Sequence, residues 1–342
     1  MAKVALITGT SSGIGLSTAV RLAKSGYRTV ATMRDLAKAG ALRARAEAEG
    51  VRLDVRRLDV CDPGSIDACL REIAGAYGRL DALVNNAGAG LVGSLEQLSM
   101  AELERTMDVN FYGVARATKA ALPLLREAGA GRVVTVTSVG GVVGQPFNDA
   151  YCAAKFAVEG LLESLAPVAR RLGVHVSIVE PGPVSTEFIA NLGGSLAARQ
   201  AETSGPYAPL FAAYVAQVMQ SFGAAQTPDE IAGVVLEALT DEAPKLRYVT
   251  SDAMRAFVGV KYGDPTGEAV RTMTGGWLEA TLECRAQRPF GSHFQAGARG
   301  VLGALIRAAG AGRVGASPSG RGVKAGPAPA PCRRCHAARC RR

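Results

Sequence analysis

Six short apolar runs, each separated from the next by a longer amphipathic stretch, fill the first 180 residues of this 342-residue chain. The runs fall at 4–8, 28–32, 52–58, 82–85, 132–137 and 174–179. The stretches between them, at 13–24, 36–49, 63–77, 101–127 and 149–171, carry helical spacing. Strands so far apart cannot be joined by tight hairpins; parallel neighbours need a long crossover, and a helix supplies it. RVVTVTS, at 132–138, is mostly β-branched and suits a strand buried on both faces. The pattern predicts an α/β fold, a doubly wound parallel sheet of the Rossmann type.

From residue 183 to about 282 the pattern turns mostly helical, with one more strand candidate at 246–250. TPDEIAGVVLEAL opens with Thr227 placed as N-cap, Pro228 at the first helical position, and Asp229 and Glu230 in the first turn. No linker precedes this region. The expected organisation is therefore a single domain with a core over 1–190, a helical substrate-side extension over 191–283, and a basic tail over 284–342. Beyond about residue 308 Gly, Ala, Pro, Ser and Arg dominate, which predicts disorder.

The formal net charge of +9 is uneven. No Asp or Glu follows Glu283, whereas twelve Lys and Arg do, so residues 1–283 hold 27 basic and 30 acidic side chains, a net of −3. With no basic stripe in the body, nucleic acid is not an expected partner. MAKVALITG runs almost directly into a strand without the parts of a secretion signal, and no apolar run reaches about 18 residues, so no spanning helix is expected. Cys61, Cys69, Cys152 and Cys284 are scattered singly, which points to a reducing, cytoplasmic compartment. No metal site is expected in the body.

TGTSSGIG, at 8–15, lies where the first strand turns into the first helix. Gly9, Gly13 and Gly15 permit a tight turn and close backbone approach, while helix amides face an incoming pyrophosphate. The spacing differs from the common G-x-G-x-x-G fingerprint, and a plain strand-to-helix turn is the alternative. The second strand runs into ATMRDL, where an acid would bind an adenosine ribose 2′-hydroxyl. Met33 stands there instead, followed by Arg34, which suits a 2′-phosphate and favours NADP(H) over NAD. The alternative makes Arg34 a solvated charge and Asp35 a helix cap.

YCAAK, at 151–155, puts a phenol and an ammonium on one helical face. A free tyrosine titrates near 10 and is a poor base at neutral pH, but a nearby ammonium favours the phenolate. The pair suits proton exchange with an alcohol or carbonyl. Ser138, at the C-terminal end of a central strand, stands where its hydroxyl can bind the same oxygen.

Together these residues resemble the short-chain dehydrogenase/reductase family. The likeness covers TGTSSGIG, LDV at 58–60, NNAG at 85–88, Asn110 of DVN, Ser138, YCAAK, and PGPVSTEF at 181–188. It implies that Tyr151 donates or accepts the proton, that Ser138 clamps the substrate oxygen, and that Lys155 lowers the Tyr151 pKa and holds the nicotinamide ribose. It further implies that Asn110 anchors a water linking Lys155 to solvent. Cofactor contacts implied are Gly9, Ser11, Ser12, Gly13, Ile14 and Gly15 at the phosphates, Asp59 and Val60 at the adenine, Asn86, Ala87 and Gly88 at the adenosine side, and Pro181, Gly182, Val184 and Thr186 at the nicotinamide. NNAG can also be a turn that stabilises the central sheet.

A finer likeness runs through ATMRDL, SVGGVVGQPFNDAYCAAKFAVEGLLESLA, LRYVTSDAM and GDPTGEAV. It points to the branch holding estradiol 17β-dehydrogenase type 1 and the photoreceptor-type retinol dehydrogenase. That branch implies NADP(H) and a hydrophobic hydroxyl or carbonyl substrate, whether steroid, retinoid, or another lipid-like or polyketide carbonyl. PYAPLFAAYVAQVMQSFG is read equally as an apolar lid or an ordinary amphipathic helix. A homodimer or homotetramer through 101–127 and 149–171 is implied as in relatives. A reading from another class is a non-catalytic NADP-binding regulator or scaffold. The tail motif CRRCHAARC admits haem attachment, zinc or lipidation, with a tail lacking chemistry the default; lipidation would add membrane association to the cytoplasmic reading.

Overall fold

A computed structural model describes residues 2–186, 196–223 and 225–279. The predicted tail disorder, the CRRCHAARC motif, and Glu187 and Phe188 of the PGPVSTEF motif lie outside the described residues. Seven strands form one sheet in the order β3-β2-β1-β4-β5-β6-β7, with every pair parallel. They are β1 (Val4–Ile7), β2 (Arg28–Met33), β3 (Asp54–Arg57), β4 (Ala82–Asn85), β5 (Gly131–Val136), β6 (Val174–Glu180) and β7 (Arg247–Val249). The order reverses between β1 and β4, so the adjoining loops diverge there and leave a crevice at the C-terminal edge.

Alternation along each strand sends neighbouring residues to opposite faces. Leu6, Val30, Leu83, Val133 and Ile178 enter a core beneath α3 (Pro63–Tyr77), α5 (Gly113–Glu127) and α6 (Asp149–Arg171). Ala5, Ile7, Ala31, Val84, Val134 and Val179 enter the opposite core, beneath α1 (Gly13–Lys24), α2 (Gly40–Ala48) and α8 (Pro228–Thr240). Thr227 caps α8, as TPDEI predicts, and does so in a reciprocal box with Glu230. Burying Ile231, Val235 and Leu239 makes α8 a cover for the sheet.

Two predicted helices are broken. The stretch 36–49 divides into a 3₁₀ turn, Leu36–Ala39, capped by Asp35, and then α2. The stretch 101–127 becomes α4 (Met100–Met107), a π-helical turn at Asp108–Tyr112, and α5. Periodicity cannot show that turn, because an extra residue in a helix leaves apolar spacing intact on either side. The segment read as a lid or amphipathic helix forms α7 (Tyr207–Phe222). Its Phe211 and Tyr214 pack with Val92, Phe147 and Leu196 in a separate apolar cluster. The last described helices are α9 (Asp252–Gly263) and α10 (Glu268–Gly275).

Candidate active site

The glycine-rich turn between β1 and α1 is built around backbone contacts that only glycine allows. Gly9 has φ +71°, and a Cβ there would come within 2.7 Å of the Ala87 Cα. A Cβ on Gly15 would overlap the Gly9 carbonyl oxygen and the Asn86 amide. Thr8 and Asn86 lock the two loops together: Thr8 Oγ1 accepts from the Asn86 and Ala87 amides, and Asn86 Nδ2 donates to the Thr8 and Gly9 carbonyls. Ser12 caps α1 without a side-chain hydrogen bond, and no acidic residue stands in the first turn. The helix end thus keeps its positive character toward the crevice. Ser11 and Ile14 flank it, and Thr186 packs over Gly13, whose Cβ would meet Thr186 Cγ2 at 3.1 Å. A dinucleotide phosphate fits this arrangement of glycine cradle and uncapped helix end.

At the adjoining strand end Met33 is buried and Arg34 is exposed. Asp35 is engaged as a cap, accepting from the Ala37 amide at 3.0 Å. The exposed Arg34 and the capping Asp35 are what the solvated-charge alternative expects, and exposure leaves the Arg34 guanidinium accessible. Across the turn Asp59 accepts from the Cys61 amide, and Val60 packs where a Cβ on Gly113 would come within 2.8 Å. Pro181 accepts from the Val139 amide, Gly182 lies against Met254, and Val184 pairs with Gln226. These positions line the same edge of the sheet as the glycine turn.

Ser138 follows β5 by two residues and caps a 3₁₀ turn, Val139–Gly141, accepting from the Gly140 amide at 3.0 Å. Val139, Val142 and Val143 bury against Met254, Phe257 and Val258 of α9, which fixes the turn. The Ser138 hydroxyl shares a hydrogen bond with the Tyr151 phenol. Lys155 is 5 % exposed, with Nζ 5.7 Å from the centre of the Tyr151 ring, and donates to the Val136 carbonyl at 3.3 Å. Asn110 is fully buried in the π turn; its Nδ2 donates to Ala89 and Thr106, and its Oδ1 accepts from the Ala89 amide. Gly88 closes the group, since a Cβ there would lie 2.9 Å from Asn110 Oδ1 and 3.8 Å from Lys155 Nζ.

The charges differ from the sequence expectation in one respect. The ammonium of YCAAK predicts a lowered tyrosine pKa, whereas burial pushes the Tyr151 phenol up to about 12, opposed by the Ser138 hydrogen bond. Burial also brings the Lys155 amine down to about 8, opposed by the Glu159 carboxylate. Desolvation penalises each charged form and is the largest cause of both shifts; the groups that oppose it are Ser138 for the phenol and Glu159 for the amine. The Asn110 side chain spends its Nδ2 on the Ala89 and Thr106 carbonyls and one Oδ1 lone pair on the Ala89 amide, which leaves the second Oδ1 lone pair or a backbone group for the expected water. Reading the sequence also missed the residues that buttress the site. Thr8 sits inside the quoted motif, yet its role depends on NNAG docking beside it; Phe147, at φ +59° just before α6, carries no sequence mark of its left-handed backbone.

This constellation sits on a doubly wound sheet whose sequence matches, over residues 3–195, the family model for short chain dehydrogenases. The chain belongs to that family of oxidoreductases, which acts on alcohols and carbonyls. It is 41% identical over 280 residues to retinol dehydrogenase 8 from Bos taurus, covering 79% of this chain and 88% of that one. It is 43% identical over 271 residues to 17-beta-hydroxysteroid dehydrogenase type 1 from Homo sapiens, covering 77% and 82%. These relatives place it in the branch that the finer motifs indicate. Among solved structures, an actinorhodin polyketide ketoreductase with NADPH superposes with TM-score 0.65 at 29% identity, over 74% of this chain and 97% of that one. A short-chain dehydrogenase from Streptomyces avermitilis gives TM-score 0.65 at 30% identity, over 81% and 96%. Among the described residues no helix is long and apolar enough to cross a membrane.

Proposed function

We propose that this chain is an NADP(H)-dependent oxidoreductase that interconverts a hydroxyl and a carbonyl on a large hydrophobic substrate. The observation that carries the reading is the meeting of Ser138, Tyr151, Lys155 and Gly88–Asn110 at the crevice edge, beside the glycine turn. Gly9, Ser11, Ser12, Gly13, Ile14 and Gly15 hold the pyrophosphate, Asp59 and Val60 flank the adenine, and Asn86 to Gly88 the adenosine side. Pro181, Gly182, Val184 and Thr186 flank the nicotinamide. The bound cofactor supplies or accepts the hydride. Ser138 holds the substrate oxygen, Tyr151 gives or takes its proton, and Lys155 binds ribose hydroxyls while favouring the phenolate. Burial keeps the phenol in the protonated form that carbonyl reduction draws on, though as a weaker acid; proton release to the substrate and, in the other direction, alcohol oxidation both require the charged Lys155 to offset that burial.

Arg34 supports NADP(H), as do the NADPH-bearing ketoreductase and the family branch. Hydrogen bonds to charged groups contribute about 1.5–3 kcal/mol. Arg34→Asp is therefore expected to lower the NADP/NAD ratio of kcat/KM by about 10- to 100-fold; an unchanged ratio would remove Arg34 from the 2′-phosphate site. The hydrophobic substrate is supported by the likeness to retinol dehydrogenase 8 and 17-beta-hydroxysteroid dehydrogenase type 1, whereas Phe211 and Tyr214 of α7 are buried against Phe147 as core. NADPH-coupled turnover is to be measured on purified protein with steroid, retinal and short aliphatic carbonyls. Steroid or retinoid turnover above aliphatic turnover is expected, and no reduction of any of them would refute the proposal. The groove between α5 and α6, lined by Leu122, Leu165, Val168 and Leu172, supports a homo-oligomer.

A further inference from the structure

Behind Lys155 lies a buried charge cluster that the proposed reaction does not use. Glu159 stands one helical turn along α6 and is 5 % exposed, so it shares the inward face of Lys155. Thr137 Oγ1, adjacent to Ser138, donates to Glu159 Oε1 at 2.7 Å. Arg247 of β7 reaches in from the other side, its Nε 3.2 Å from Glu159 Oε2 and 3.1 Å from Oε1 of the fully buried Glu180 on β6. The same guanidinium bonds Glu163 of α6 at 2.7 Å, and Tyr262 of α9 faces it. A Cβ on Gly141 would come within 3.1 Å of Glu159 Cγ and 3.2 Å of the Lys155 carbonyl, so the turn following Ser138 rests directly on this part of α6.

Burying carboxylates is costly unless cations compensate them. Two buried carboxylates, Glu159 and Glu180, share a single guanidinium here with the exposed Glu163, and the other cation facing Glu159 is Lys155. Burial pushes the Glu159 carboxyl up and the Lys155 amine down; Glu159 opposes the shift of Lys155, while Thr137, Arg247 and then Lys155 oppose that of Glu159. Glu159 also bridges the two elements that carry the reacting side chains, α6 by its own backbone and β5 through Thr137. We infer that Glu159 is a positioning residue, which keeps Lys155 charged and holds the Ser138 strand end in register with the Tyr151 helix. The inference rests on the acid-base reading of Tyr151 and Lys155.

The sign follows from Lys155. Its charged form is lost as pH rises through about 8, and Glu159 opposes that loss. Glu159→Gln keeps an acceptor for Thr137 but removes the charge, so the alkaline limb of kcat/KM is expected to move down by about one pH unit. The deficit would then grow with pH to about tenfold above the limb. Glu159→Asp, which retains the charge, is expected to keep the wild-type limb. Glu159→Met, leaving Arg247 with Glu180 and Glu163, serves if the Gln variant does not fold, with the same downward shift expected. NMR titration of the Lys155 side chain in the cofactor-free protein, assigned with Lys155→Arg, should show the same displacement without turnover. An unmoved limb and an unmoved Lys155 titration in the folded Gln or Met variant would overturn the inference. Wild-type turnover that survives Tyr151→Phe would instead overturn the acid-base reading on which it rests.

Discussion

Tyr151→Phe is expected to lower kcat by about 10²- to 10⁴-fold, the range general acid-base catalysis contributes, while NADPH affinity stays close to wild type. The change removes one oxygen from a half-buried ring and nothing from the glycine turn, Arg34 or Lys155. It deletes the proton carrier and its hydrogen bond with Ser138, leaving the oxygen clamp in place. Stopped-flow single turnover with NADPH, paired with fluorescence titration of cofactor binding, separates chemistry from affinity. Near wild-type turnover would exclude Tyr151 as the proton donor, and equal losses in binding and turnover would reassign it to cofactor contact.

Gly15→Ala is expected to be the most damaging single-methyl change in the first βα unit. The added Cβ would overlap the Gly9 carbonyl and the Asn86 amide, both held in a closed set of hydrogen bonds with Thr8. Neither neighbour is the free end of a flexible chain. Overpacking of this kind costs about 1–3 kcal/mol, and the same displacement spoils the amides that face the pyrophosphate. A lower Tm together with NADPH binding weakened at least about tenfold is the expected pair of results. Wild-type Tm and affinity would show that the turn relaxes without consequence.

What the sequence makes legible here depends on how far apart the interacting residues lie. Strand and helix order follows from local periodicity, and the glycine turn, Ser138 and YCAAK are each short enough to be read in place. Their convergence is a property of parallel topology, since all sit at strand C-termini or the helix starts that follow. The Glu159 cluster needs β5, β6, β7 and α6 in mutual contact, and no spacing along the chain announces it. Even Glu159, four residues beyond Lys155, reads as an ordinary solvated helix charge until the sheet is assembled. The direction of the Tyr151 shift was hidden for a related reason: residue type gives the sign of a neighbour's charge but not the depth of burial that competes with it.

The π turn at Asp108–Tyr112 gives the long element above the sheet an uneven tolerance to change. One inserted residue lets α4 and α5 each keep an apolar face, and the Gly113 amide reaches back five residues to Asp108 instead of four. A chain one residue shorter at this point would form a more regular helix, yet α4 would turn by about 100° relative to α5. Asn110 would then leave its pocket beside Ala89 and Gly88. Length at this position is therefore constrained more tightly than composition, and local helical regularity and an intact crevice favour different sequences.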